Sequence, residues 1–123
     1  MKVLIIEDEI LIIEVFTAFI KLQDLKCDID FAQTGDVGLA HLEKTKYDIV
    51  LLDHFIPKVT GEEIAKNIRS NANNLNYQTP ILLLSSESTL VENLPNEISN
   101  CQALMKPVKP KILLEKINEL CNF

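Results

Sequence analysis

Five side chains in this sequence stand at or just beyond the ends of short apolar runs. Glu7 and Asp8 follow Val3-Leu-Ile-Ile6, Asp53 follows Asp48-Ile-Val-Leu-Leu52, Ser85 follows Ile81-Leu-Leu-Leu84, and Lys106 follows Ala103-Leu-Met105. In an open α/β sheet, ligands bind outside the carboxyl ends of the strands, so three carboxylates, a hydroxyl and an ammonium converge on one edge. Two carboxylates ~5 Å apart repel by roughly 3 kcal/mol at an effective dielectric of 20. Such a cluster needs a cation. Hard oxygen ligands in small number favour Mg²⁺, which keeps several waters and bridges one or two carboxylates to a phosphate. Glu7, Asp8 and Asp53 sum to -3, Lys106 brings this to -2, and one Mg²⁺ brings it to zero. The neutral site is ready for a phosphoryl group, and one carboxylate can attack phosphorus to give an acyl phosphate. Positioning and charge neutralisation by metal, lysine and hydroxyl supply the rest. Taken singly, each feature has a plainer reading: an acidic pair interacting with a helix dipole, a serine in a turn, a solvated lysine. Their conjunction at successive strand ends favours the site. His41 and His54 lack metal-ligand spacing to any cysteine or to each other and are assigned no chemical role.

The elements that must position these groups repeat. Apolar or β-branched runs recur at Val3–Ile6, Cys27–Phe31, Asp48–Leu52, Ile81–Leu84 and Ala103–Met105, separated by stretches long enough for a helix. Three runs, the first, third and fourth, are apolar at consecutive positions, as a strand requires when helices cover both faces of a parallel sheet. These three are expected at its centre. Ile12, Val15, Phe16, Phe19 and Leu22 recur at helical spacing, as do Ile64, Ala65 and Ile68, and Leu113, Ile117, Leu120 and Cys121; these are read as inward faces. Thr34 is a candidate cap for the second helix, and Pro110 fits the first turn of the last. Pro95 is expected to shorten or interrupt a helix within 87–100, and Asn71–Thr79 reads as an extended polar loop.

Composition narrows the function. The 123 residues leave room for one domain, 1–123, and the 47% hydrophobic and 24% charged content is that of a folded globular chain. Eighteen acidic against twelve basic residues give a net charge of -6, which argues against direct nucleic-acid binding. Cys27, Cys101 and Cys121 form no metal-like pairing and fit reduced thiols. The one N-terminal apolar run is stopped by Glu7-Asp8-Glu9, too short for a signal-peptide core or a membrane span. A cytoplasmic location without membrane insertion is expected.

The ordered motifs resemble the response-regulator receiver domain, the CheY-like phosphoacceptor of two-component signalling, over essentially the whole chain. Leu4-Ile-Ile-Glu-Asp-Glu9 resembles its acidic motif, and Leu51-Leu-Asp53 its phosphoacceptor strand. Pro57 and Gly61 repeat the Asp-x-x-x-Pro-x-x-x-Gly spacing, Pro80–Ser85 matches the strand ending in a hydroxyl, and Lys106-Pro107 matches the Lys-Pro pair, usually cis. The resemblance implies a doubly wound (βα)5 α/β fold of the flavodoxin/CheY-like kind: a five-stranded parallel sheet with helices on both faces. It implies that Asp53 accepts the phosphoryl group, and that Glu7, Asp8, Asp53 and the backbone carbonyl of Phe55 hold Mg²⁺. Ser85 and Lys106 would bind phosphoryl oxygens. The donor would be a phosphohistidine on a sensor histidine kinase or histidine-phosphotransfer protein, and the signal would pass to an unidentified protein target or through a phosphorelay. The chain would catalyse only its own phosphorylation and slow dephosphorylation.

Some positions depart from the family pattern. Ala103 replaces the aromatic three residues before the lysine, Ser99-Asn100 replaces a Gly-Ala turn, and Phe55 and His54 are bulky neighbours for Asp53. Gly38 stands where alanine is usual, a loss of roughly 1 kcal/mol in helix propensity with no gain evident from sequence. The leading reading is a stand-alone phosphoacceptor receiver; the alternative is a pseudo-receiver interaction module that acts without phosphorylation. A metal-dependent phosphohydrolase lacks a second Asp at position 55, and a flavin module lacks a Gly/Ser/Thr-rich phosphate loop after the first strand.

Overall fold

Consecutive apolar positions require cover on both faces, and the three runs that have them take the inside of the sheet. The computed structural model describes residues 1–24 and 26–121. Among these, strands and helices alternate as β1 (Lys2–Ile6), α1 (Ile10–Gln23), β2 (Asp28–Ala32), α2 (Gly35–Lys44), β3 (Ile49–Asp53), α3 (Gly61–Ser70), β4 (Ile81–Ser85), α4 (Ser88–Glu97), β5 (Cys101–Met105) and α5 (Pro110–Cys121). The strands are parallel in the order β2-β1-β3-β4-β5. β1, β3 and β4 are interior, as the apolar runs require.

Successive strand residues point to opposite faces. Leu4, Ile6, Val50, Leu52, Ile81 and Leu83 join one core with Leu42 of α2, Ile64 and Ile68 of α3 and Leu94 of α4. Val3, Ile5, Ile49, Leu51, Leu82 and Leu84 join the other with Ile13, Phe16 and Ile20 of α1 and Leu113 and Ile117 of α5. The three cysteines are free thiols, Cys27 and Cys101 buried and Cys121 half-buried. No helix among the described residues is long and apolar enough to cross a membrane.

The packing corrects several local expectations. The buried stripe of α1 is Ile13, Phe16 and Ile20, whereas Val15 is 45% and Leu22 76% exposed. This helix is apolar on most sides, so spacing alone fits more than one stripe, and the sheet beneath sets the phase. α4 runs through Pro95 without interruption. The missing N–H and the clash with the carbonyl four residues back are outweighed because Leu94 and Ile98 are both buried against β4 and β5.

Gly38 has a packing reason. A Cβ there would lie 2.6 Å from Ile6 Cδ1, so the missing methyl lets α2 settle onto β1. Thr34 occupies the N-cap of α2, yet its hydroxyl donates to Asp36 and caps no backbone N–H. Pro110 opens α5, as expected. Residues 71–79 form a chain of turns around Asn76, which is fully buried. Its amide donates to the carbonyls of Leu42 and Thr45, both at 2.8 Å, and its side-chain oxygen accepts from Tyr47 N at 2.8 Å.

Candidate functional site

All five sequence-selected side chains lie at the carboxyl edge because each ends or follows a strand in register with its neighbours. Glu7 N donates to Ala32 O at 3.0 Å, prolonging the β1–β2 pairing by one residue, so Glu7 turns inward and is buried. Asp53 closes β3 opposite Leu84, and the next residue, His54, donates its N–H to Leu84 O at 3.0 Å. Ser85 closes β4 beside Met105, and Lys106 N donates to Ser85 O at 2.9 Å. The Lys106-Pro107 peptide is cis.

Close approach behind Asp53 accounts for the glycine eight residues on. Gly61 N donates to His54 O at 2.9 Å, and a Cβ at Gly61 would lie 2.6 Å from Asp53 O. Thr60 caps α3 by accepting from Glu63 N at 3.2 Å. The Thr-x-x-Glu63 spacing is a capping-box signal that the motif reading passed over. The loop between Asp53 and α3 is further held by Gly35 N donating to Pro57 O at 3.0 Å, and Lys58 takes a left-handed φ of 81° within it.

One carboxylate oxygen from each of Glu7, Asp8 and Asp53 lies within 4.8 Å of the others. Glu7 and Asp53 are each only 2% exposed, while Asp8 is open to solvent. Lys106 Nζ stands 2.6 Å from Asp53 Oδ1 as an ion pair without hydrogen-bond geometry. Asp53 Oδ1 and Glu7 Oε2 are therefore buried oxygens without a hydrogen-bond partner. Burial, followed by repulsion from Asp53, pushes the Glu7 carboxyl up to about 8; Lys106 and the N–H of Glu9 oppose this. A Glu7 oxygen without a partner, an Asp53 oxygen held only by the Lys106 ion pair and an open third carboxylate have the donor chemistry of a hard divalent cation site.

Around this core, Ser85 is buried and its Oγ accepts from Glu87 N at 3.0 Å. No sequence signal marks that backbone donor. Phe55 is 54% exposed at the rim, its ring edge-on to His54 with centroids 4.7 Å apart. His54 is buried, and its Nδ1 accepts from Glu62 N at 3.4 Å. His41 Nδ1 lies 3.4 Å from the Tyr47 hydroxyl, away from the acidic cluster.

A parallel β2-β1-β3-β4-β5 sheet with an acid triad, a hydroxyl and a lysine at its carboxyl edge defines the CheY-like class of α/β domains. A family model for the response regulator receiver domain matches residues 3–118, and the chain belongs to that family, a receiver of two-component signal transduction. It is 31% identical over 118 residues, 95% of this chain and 50% of the relative, to transcriptional regulatory protein DltR of Streptococcus agalactiae. It is 36% identical over 92 residues, 75% of this chain and 39% of the relative, to transcriptional regulatory protein QseB of Haemophilus influenzae. The chain thus spans about half the length, or less, of these curated relatives. The chemotaxis response regulator CheY4 of Vibrio cholerae superposes with a TM-score of 0.81 at 28% identity, covering 97% of each chain. The receiver domain of a sensor histidine kinase from Pseudomonas aeruginosa PAO1, described with a magnesium ion coordinated in its active site cleft, has the same fold at a TM-score of 0.80 and 23% identity, covering 99% of this chain and 98% of that one.

Proposed function

We propose that this chain is a single receiver domain that takes a phosphoryl group onto Asp53 from a phosphohistidine of a sensor histidine kinase or histidine-phosphotransfer protein. The observation that carries the reading is the gathering of the buried Glu7 and Asp53 carboxylates with Asp8, Glu7 Oε2 having no hydrogen-bond partner and Asp53 Oδ1 held only by the Lys106 ion pair. A carboxylate oxygen of Asp53 attacks phosphorus, the phosphorus–nitrogen bond of the donor breaks, and the imidazole leaves with the electron pair. Glu7, Asp8, Asp53 and the carbonyl of Phe55 would hold Mg²⁺, whose charge would offset that on the phosphoryl oxygens. Lys106 exchanges part of its pairing with Asp53 for a charge-assisted bond to a phosphoryl oxygen, and Ser85 donates its hydroxyl to another. Hydrolysis of the acyl phosphate by water returns the carboxylate. The phosphorylated form acts on a protein target or passes the group along a relay, with no direct nucleic-acid contact.

Mass spectrometry after incubation with acetyl phosphate and Mg²⁺ tests the assignment. Wild type is expected to gain one phosphoryl group, and Asp53→Asn, nearly isosteric but unable to attack phosphorus, is expected to gain none. A wild type that gains nothing from acetyl phosphate or from a phosphorylated histidine donor identifies a pseudo-receiver instead. Normal incorporation into the asparagine variant places the nucleophile elsewhere.

A further inference from the structure

We propose that the solvent face of α1 is a self-association surface, through which two copies of this chain pair antiparallel about a two-fold axis. The assignment is independent of the phosphoacceptor reading.

A helix that covers a sheet turns its apolar stripe inward and its polar residues outward. α1 does not follow this rule. Its inward stripe is Ile13, Phe16 and Ile20. At about 100° of rotation per residue, the opposite side carries Leu11, Val15, Ala18 and Leu22. All four are exposed, Leu11 and Leu22 by 71% and 76%. Steps of four, three and four residues between them give the a/d seam of a paired helix over two heptads. A single exposed leucine needs no explanation. Four apolar residues on one seam, facing away from the core, mark a contact surface.

What flanks the seam selects its occupant. Glu14 and Lys21 are the only charged residues of α1, and both lie exposed along one side of the seam. They stand two turns apart, beyond the i,i+3 and i,i+4 reach of a pair within one helix. Neither makes an ion pair among the described residues. Along the other side stand Ile12 and Phe19, both half-buried. In a two-fold pair every contact is made twice with the roles exchanged. With two copies of α1 antiparallel, Leu11 meets Leu22 of the second copy and Val15 meets its Ala18. The same register sets Glu14 beside Lys21 of the second copy and Ile12 beside its Phe19, and it opposes the two helix dipoles favourably. A parallel pair would instead set Glu14 beside the apolar Phe19. The helix thus complements itself, and the net charge of -6 lies outside it.

The seam from Leu11 to Leu22 is about 17 Å long, so the pair buries less than the roughly 1,200 Å² of a stable complex. A reversible dimer with a Kd on the order of 100 µM is expected. Sedimentation equilibrium of the full chain from about 10 µM to about 1 mM tests this. The average mass is expected to climb toward twice that of the monomer across this range. Leu22→Glu touches no core contact and puts a carboxylate into the seam, so Kd is expected to rise at least about tenfold. Glu14→Lys and Lys21→Glu each set like charges side by side twice, and each is expected to weaken the dimer about fivefold. The double variant Glu14→Lys with Lys21→Glu exchanges the partners and is expected to restore wild-type association. A wild type that stays monomeric at about 1 mM overturns the proposal and leaves the seam to a different partner. A dimer undisturbed by Leu22→Glu places the interface elsewhere and overturns it as well, and a double variant no tighter than the single ones overturns the antiparallel register. If a variant fails to fold, the wild-type concentration series and the remaining variants decide.

Discussion

Glu7 makes the stability of the metal-free protein fall as pH rises. Its carboxyl is pushed from 4.5 up to about 8, first by burial and then by the Asp53 charge. Between those values the folded chain keeps a proton that the unfolded chain has released, so the stabilisation is complete below about pH 4.5 and is lost by about pH 8. At about 1.4 kcal/mol per pH unit the upper bound is roughly 5 kcal/mol. Burial is the larger part of it, and repulsion from Asp53, whose carboxylate oxygen lies within 4.8 Å of that of Glu7, is the second. Water entry and side-chain movement relieve part of the penalty, so a fall of at least about 2 kcal/mol is expected. Other shifted groups act outside this window: Asp28 and Asp36 are held low by partners, and the thiols of Cys101 and Cys121 are pushed up to about 11 by burial. The assay is urea unfolding by far-UV circular dichroism in EDTA at about pH 5, 6.5 and 8. Asp53→Asn removes the charged neighbour and leaves the burial, so its fall should be about half as steep. In that variant, loss of the Lys106 attraction and loss of repulsion from Glu7 and Asp8 oppose each other. Its stability near pH 7 should stay within about 1 kcal/mol of wild type. Saturating Mg²⁺ competes with the proton and should flatten the wild-type profile. A wild-type midpoint in EDTA that holds or rises from pH 5 to 8 refutes the reasoning.

Mg²⁺ at ten times its dissociation constant should stabilise the wild type by about 1.4 kcal/mol; Asp8→Ala should lose most of this, and an undiminished response would remove Asp8 from the metal site. Gly61→Ala sets a methyl 2.6 Å from Asp53 O and 2.8 Å from His54 Cα, so it should cost about 2 kcal/mol in urea unfolding and slow phosphorylation. A variant as stable as wild type would contradict that contact. Asn76→Leu leaves the Leu42 and Thr45 carbonyls and Tyr47 N without their partner. At about 1–3 kcal/mol for each unpaired buried group, the urea midpoint should drop by the equivalent of at least about 3 kcal/mol.

Much of the site was legible in the linear order of residues. An interior parallel strand is a short apolar run, and the residue that ends it lies at the carboxyl edge wherever the strand falls in the sheet. Glu7, Asp8, Asp53, Ser85 and Lys106 are found by that rule alone. Gly61 was visible only as a spacing, and its cause, the approach of α3 to the Asp53 carbonyl, is a contact through space. Thr60 carried a readable capping signal in the glutamate three residues on.

The sequence by itself determined the strand runs, the three central strands and the chemistry of the sheet edge, because each depends on residues adjacent in the chain or on a helical or strand period. Only the tertiary structure decided which stripe of α1 is buried, why glycine stands at 38, and that α4 survives Pro95. The same holds for the proton on Glu7 and the clamp of Arg69 on the Ser99 and Asn100 carbonyls. These depend on distant segments: Arg69 reaches Asn100 across 31 residues, and Asn76 reaches Leu42 across 34. Local periodicity says which residues are apolar or polar; contact in three dimensions settles which partner each one meets and at what cost in burial or charge.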